Sequence, residues 1–243
     1  MVMYYTDLNL TRSSDRLPAH SGIAQDVAPY MSDEIEYSAG LWTSNSSWVT
    51  ASQLPWFTEK PMNRPSGRKA PTWPWASIDS PILDTRGRIL SLSNRFRFLA
   101  QYLPPVEIVP DGVSRFGPIS HGVIRLRGAL LPATITLYDQ SDTWWGIQQV
   151  LEIRECFGKL GVFSYRLDTL DADLEGPLFG VPVLDVTEED GEFKRLDGLI
   201  LRPVDKINGR YQRIDVFWTD EVVFQEQLRR PYTCEEIAEV KDS

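Results

Sequence analysis

Cysteine and histidine are scarce in this chain, with two of each in 243 residues. Cys156 and Cys234 stand far apart, in neither metal-ligand nor redox spacing. Neither Cys-x-x-Cys nor His-Glu-x-x-His occurs, so nothing reads as a zinc site. Ser120 precedes His121, but members of a nucleophile–base system meet in space and need a third, orienting group. His20 and His121 are therefore expected in structural or surface roles. The glycine patterns of a nucleophile elbow, a dinucleotide fingerprint and a phosphate loop are also missing. Gly158-Lys159-Leu160-Gly161 lies between two strand candidates and reads as a hairpin loop. The expectation is a protein that is not an enzyme, with no catalytic residues, no metal and no cofactor.

Long apolar runs are lacking too. None approaches the roughly 18 residues of a membrane-spanning helix, so no membrane partner is expected. Met1 to Tyr5 is followed by Asp7 and Asn9, which is unlike a secretory signal. The simplest placement is a reducing, cytoplasmic compartment. Basic charge is in deficit: 25 Lys and Arg face 34 Asp and Glu, a formal net charge of -9. That balance argues against a nucleic-acid partner. The best basic patch, Arg86, Arg88, Arg95 and Arg97, has the i, i+2 spacing of residues on the solvent side of strands.

What the chain has in quantity is aromatic surface: 11% Phe, Trp and Tyr, with eight Trp. Aromatic richness favours large apolar contacts and β structure. With 42% hydrophobic and 24% charged residues the composition is globular, and the length suffices to bury a sizeable core.

Along the chain, Asp15 is placed to cap a helix over about 16–25, with Pro18 tolerated in its first turn. Residues 43–72 read mostly as an irregular connection that Leu41, Trp42, Trp48, Leu54, Trp56 and Phe57 could pin to a core. From Trp73 the pattern turns to strands. Pro74 bars a central ladder position, so this part is expected as an edge or irregular strand. Further strands are expected at 95–99, 123–130, 134–138, 150–155, 162–167, 179–186, 198–204 and 211–218. Alternation in Val123-Ile124-Arg125-Leu126-Arg127 and in Arg213-Ile214-Asp215-Val216-Phe217 marks two of them as half-buried. Asn208-Gly209 and Asp190-Gly191 predict chain reversals. Thr233 with Glu236 forms a capping-box pattern opening a short helix to about Val240.

The expected fold is mainly β: an antiparallel meander packed as a sandwich or partly open barrel, with a helical N-terminal appendage and a short C-terminal helix. Residues 1–72 form the helical and irregular segment and 73–243 the β domain, in one folding unit.

Three features remain as candidates for chemistry. Asp171-Ala172-Asp173-Leu174-Glu175-Gly176 begins like a calcium loop, but position twelve is Pro182, and the segment reads as a solvated acidic loop. Trp144 and Trp145 are either a stacking platform for sugars or bases, or rings that cap the core and a loop. The acids Asp139, Asp142, Glu152 and Asp168 could build a scattered enzyme site.

One stretch is distinctive. Arg68-Lys69-Ala70-Pro71-Thr72-Trp73-Pro74-Trp75-Ala76-Ser77-Ile78-Asp79 resembles the Arg-x-Ala-Pro-Ser-Trp-Ser-Trp-Ala-Ser-Val-Asp-Gly signature of fungal heterokaryon-incompatibility (HET-domain) proteins, where it lies downstream of the HET domain. Ser14-Asp15-Arg16-Leu17-Pro18-Ala19-His20-Ser21-Gly22-Ile23-Ala24 is similar to the family's Ser-Asp-Arg-Leu-Pro-Ala-Leu-Ser-Gly-Leu-Ala helix. Tyr37-Ser38-Ala39-Gly40-Leu41-Trp42 matches its Tyr-x-Ala-Gly-Leu-Trp, and 198–203 with Tyr211-Gln212-Arg213-Ile214 resembles its last hairpin. The matches keep the family's order over residues 14–214. Pro74 departs from the family's serine, and the HET domain itself is not in the sequence.

The resemblance implies a place in nonself recognition and programmed cell death between fungal strains, with this chain as an interaction module for a protein partner. The death-triggering activity would belong to the HET domain, which resembles the TIR fold. From the residues alone, alternation of Trp73 and Trp75 favours a structural anchor between the irregular connection and the β core. Asp15 and Arg16 have equally plain readings, as a helix cap and a surface charge.

Overall fold

The computed structural model describes residues 2–8, 15–45, 47–58, 60–64, 71–84, 95–112, 116–140, 146–156, 159–170, 172, 174–187, 193–219 and 237–241. The N-terminal third holds three short helices, α1 (Val2–Thr6), α2 (Arg16–Val27) and α3 (Ser47–Ala51), with a hairpin of β1 (Ile35–Ser38) and β2 (Leu41–Ser44) between α2 and α3. A two-residue pair follows, β3 (Trp56–Phe57) with β4 (Leu83–Asp84). The remaining strands are β5 (Arg95–Phe98), β6 (Gln101–Pro110), β7 (Ile119–Arg127), β8 (Leu131–Gln140), β9 (Gly146–Cys156), β10 (Lys159–Leu167), β11 (Leu178–Thr187), β12 (Phe193–Asp205), β13 (Arg210–Thr219) and β14 (Ile237–Lys241).

The protein is mainly β, as its alternation and turn signals predict. The strands β5 to β14 form one sheet, antiparallel except where β14 runs parallel to the start of β13. Within it β8, β9, β10, β13, β12 and β11 follow one another as hydrogen-bonded neighbours, and β11 returns to β8. Two seams of that circuit are short: β8 meets β11 over Leu131–Ala133, and β10 meets β13 over Ser164–Leu167. This is a partly open barrel. The other ends of β11 and β13 carry β5 and β14, and β14 leads on to β7 and β6.

Because successive side chains on a strand face opposite ways, β12 serves two cores. Leu199 and Leu201 join a cluster that includes Tyr5, Leu17, Trp56, Trp73 and Trp75. Leu196 and Ile200 join the barrel interior with Leu151, Ile153, Phe163 and Phe217. Gly198 is required by close approach: a Cβ there would lie 2.2 Å from the Phe217 ring and 2.6 Å from the Val181 carbonyl oxygen. The first cluster draws on residues from Tyr5 to Val216, so the N-terminal third and the sheet share one core.

Several expectations change. Residues 237–240, expected at the end of a helix, lie in β14, where Ile237 to Lys241 pair with Arg127 to Val123. An edge of β7 offering unpaired backbone groups outweighs a local helix preference. The capping-box residues Thr233 and Glu236, the pairs Asp190-Gly191 and Arg86/Arg88, and Gly158 lie outside the described residues. Thr187 of β11 pairs with Phe193 of β12.

Pro74 is extended, but Trp75–Ser77 form a turn of 3-10 helix rather than a strand. Asp15 precedes α2 without a side-chain capping bond. Strand β6 and the β1–β2 hairpin were not foreseen. Pro104, Pro105 and Pro110 disguise the first, which is an end strand of the sheet and tolerates them. The second turns on Ala39 and Gly40, both at positive φ. At Asn208-Gly209 the reversal is as expected. There the Asp205 carboxylate accepts bonds from the backbone N–H groups of Ile207 and Asn208 and from the Asn208 amide.

Candidate functional site

The alternation around Arg213 predicts outward-facing charge, yet Arg213 and Asp215 are both fully buried. Opposite them the ladder steps from Ile200–Asp215 to Leu201–Arg213, leaving Ile214 as an extra residue. Such a bulge re-aims the side chains that flank it. Arg213 turns into the first core, where Asp168, just after β10, is also buried.

The Arg213 guanidinium is held on all sides. Nε donates to Asp168 Oδ2 at 3.0 Å and Nη2 to Oδ1 at 3.1 Å, a two-pronged ion pair. Nη1 donates to the Leu54 carbonyl at 2.5 Å and Nη2 to the Trp56 carbonyl at 2.6 Å. The Trp56 ring lies 3.5 Å from the guanidinium carbon, close enough for a cation–π attraction. The Arg213 backbone N–H donates to Thr72 Oγ1 at 3.2 Å.

Burial raises the pKa of Asp168, and the Arg213 charge and hydrogen bonds oppose that shift. Asp215 is raised well above the ordinary carboxylate range, by burial first and then by the negative charge of Asp168. Its Oδ1 accepts the Val216 N–H at 2.6 Å, while Oδ2 is buried with no partner among the described residues. Burial and the neighbouring Asp168 thus favour the neutral form of Asp215, while Arg213 favours the charged form of Asp168.

Around this pair, residues distant in sequence interlock. Trp56 Nε1 donates to the Trp73 carbonyl at 3.0 Å, and Trp73 Nε1 to the Gly122 carbonyl of β7 at 3.4 Å. Pro71 covers Gly122, where a Cβ would meet its ring at 2.7 Å. Trp75 Nε1 donates to the Gly40 carbonyl at 2.8 Å. The positive φ of 94° at Gly40 and its contact with the Trp75 indole leave no room for another residue. Trp73 and Trp75 thus anchor different elements instead of sharing one face.

Ser77 Oγ closes the turn on the Thr72 carbonyl at 3.3 Å, and Ala76 is buried beneath it. Arg16, read from the sequence as a surface charge, is buried; it donates to the carbonyls of Ile78, Ser80 (3.0 Å) and Thr6 (3.2 Å). Leu17 and Leu41 are core residues, Pro18 lies in the first turn of α2, and the Trp42 ring packs edge-on against Tyr37.

His20 is buried against Tyr5, Tyr37 and Trp75. Its Nδ1 shares a 3.1 Å hydrogen bond with the Tyr37 hydroxyl, and Nε2 has no partner among the described residues. Burial pushes its pKa down to about 4, so the ring is neutral. His121 lies apart on β7, and Glu152 lies on β9. Arg97 of the basic patch reaches Asp185 Oδ2 at 2.7 Å. Ala70, Trp144, Trp145, Asp142, Asp171 and Asp173 lie outside the described residues, as does the side chain of Asp139.

Among the described residues no group of three or more His, Cys, Asp or Glu is placed to hold a metal ion. No described helix is long and apolar enough to cross a membrane. The sequence reading missed Arg213 with Asp215 as buried groups; His20, expected in a structural or surface role, takes the structural one. The signal for the first was the Tyr211-Gln212-Arg213-Ile214 segment itself. Comparison of the chain with protein-family models, curated proteins and solved structures finds no match in any of the three.

Proposed function

We propose that this chain is a HET-type region of the kind that lies downstream of the HET domain, serving as a non-catalytic interaction and regulatory module in fungal nonself recognition and cell death. It would act in the cytoplasm and bind a protein partner. One observation carries the reading. The four segments that resemble the family, spread over residues 14–214, meet in space and hold one another through Arg16 to Ile78, Trp75 to Gly40, and Arg213 to Thr72. A shared pattern that is consumed by mutual support is what a common scaffold requires, whereas a common reaction would leave polar groups facing a substrate. The charged groups of this cluster bind each other and backbone carbonyls instead.

The test is a graft. In a fungal strain, the downstream region of a HET-domain protein is replaced by this chain, and cell death is scored with and without a nonself partner. Death confined to nonself contact supports the proposal. Death in every strain, or in none despite normal expression, contradicts it.

A further inference from the structure

On the outer face of the barrel, Trp218 of β13 stands opposite Ser164 of β10 and Asp197 of β12. Paired residues, and those two places along from them, share a face, so Arg166 and Arg195 flank the same indole. Their guanidinium carbons lie 5.8 and 5.6 Å from the Trp218 ring centre. Phe57 of β3 stacks on Trp218 at 5.9 Å, and Arg166 is also 5.5 Å from the Phe57 ring. These distances are within cation–π range.

The two arginines differ in what else they hold. Arg195 Nε donates to Asp197 Oδ1 at 2.6 Å, and Asp197 is buried beside it. Arg166 makes no hydrogen bond or ion pair among the described residues. It is half-buried, yet none of its guanidinium nitrogens is sealed from solvent. Its charge is the smallest of the influences on Asp215, which pairs with the next residue of β10. Stacking on two rings restricts the guanidinium before any ligand arrives, which lowers the ordering cost of binding. Ser164, exposed two residues away, adds a hydroxyl on the same face.

We propose that this face docks an acidic segment of a protein partner, with an Asp or Glu carboxylate held by Arg166 and Ser164 and an apolar neighbour of that acid against Trp218. The proposal rests on the reading of the chain as a protein-binding module, though not on its HET-type role. Charge complementarity selects the occupant. In a chain of net charge -9, an uncommitted guanidinium attracts an anion that the molecule as a whole does not. Its fork matches the two oxygens and single charge of a carboxylate, whereas a doubly charged phosphate would also meet Asp197. Small-molecule sites are concave; Trp and Arg on adjacent strands of one sheet face are the composition of protein contacts.

The test uses the capped peptide Gly-Glu-Tyr-Glu-Tyr-Glu-Gly, the same peptide with Gln for every Glu, and the same with phosphoserine for the central Glu. Each is titrated into the whole chain labelled with 5-fluorotryptophan and followed by fluorine NMR, with Trp218→Phe identifying the Trp218 resonance. The glutamate peptide should shift that resonance saturably, weaken at raised salt, and bind about tenfold more tightly than the glutamine peptide. Phosphoserine should add no affinity. Arg166→Gln should bind the glutamate and glutamine peptides alike, and Arg166→Lys should keep only part of the preference. Ser164→Ala, at an exposed position that folding does not depend on, should weaken glutamate binding about twofold or more. No binding, equal affinity for the glutamate and glutamine peptides, or tighter binding of the phosphoserine peptide would overturn the proposal. So would a shift confined to other tryptophans, or an unchanged glutamate preference in Arg166→Gln. Such a failure would leave the outcome of the graft in fungal strains untouched, so the two readings fail separately.

Discussion

Removing the Arg213 side chain is the sharpest perturbation available. Arg213→Met keeps the length and apolar stem but deletes the guanidinium. It leaves Asp168 as a buried carboxylate without its paired guanidinium, with only the lesser influence of the Arg64 charge. It also takes one donor each from the Leu54 and Trp56 carbonyls. Breaking a buried pair on one side costs about 3–5 kcal/mol, a large part of the roughly 5–15 kcal/mol that holds a domain folded. Asp168→Leu should cost a similar amount, because the guanidinium then keeps only neutral acceptors. With both substitutions the ion pair is removed as a whole, and the residual loss should be about 1–3 kcal/mol for the Trp56 carbonyl, since that of Leu54 still accepts the Trp56 N–H. Urea unfolding of the four proteins, followed by tryptophan fluorescence, measures each free energy. The cycle should close with a coupling of at least about 2 kcal/mol. Should Arg213→Met fail to fold, Arg213→Lys serves, keeping the charge but losing the fork. Single substitutions that each cost under about 1 kcal/mol, or costs that simply add, would refute the reasoning.

Two titrations of opposite sign follow from burial. His20 has a folded pKa near 4 against an ordinary 6.5, so between these values the unfolded chain binds a proton that the native one refuses. Stability should fall by up to about 3 kcal/mol as pH drops from 6.5 to 4, and His20→Phe should lack that component in urea titrations across the window. Asp215 is raised, so its contribution is complete below the ordinary carboxylate value and is lost as pH rises through the folded one. Asp215→Asn, which mimics the protonated acid, should therefore gain stability relative to the parent as pH rises, and a constant difference between the two would contradict the burial argument. Gly198→Ala should cost about 1–3 kcal/mol or more through overpacking, since its Cβ would strike Phe217 and Val181; a melting temperature within two degrees of the parent would show that the barrel interior is looser than described.

Much of the β architecture was legible because it rests on local rules. Alternation located β7 and β13, and Asn208-Gly209 located the turn between β12 and β13. Strand β6 escaped those rules, as did the β1–β2 hairpin and β14; its prolines are tolerable only at a sheet end. Local rules also failed at Arg213, where alternation implied exposure. The bulge at Ile214 and the second core against the other face of β13 are tertiary facts with no local trace. Arg16 was misread for the same reason: an arginine at a helix start looks solvent-facing until residues 78–80 fold over it. The family-like segments could be found by pattern, but only the fold shows that they touch.

That contact is the centre of the interpretation, and amide hydrogen exchange on the parent and on Arg213→Met (or Arg213→Lys) tests it most directly. If the segments form one structural unit, loss of the guanidinium should speed exchange together in 54–57, 72–80, the β1–β2 hairpin and α2, while β8–β10 of the barrel remain protected. Faster exchange confined to the immediate neighbours of residue 213, with α2 and the hairpin unchanged, would contradict it.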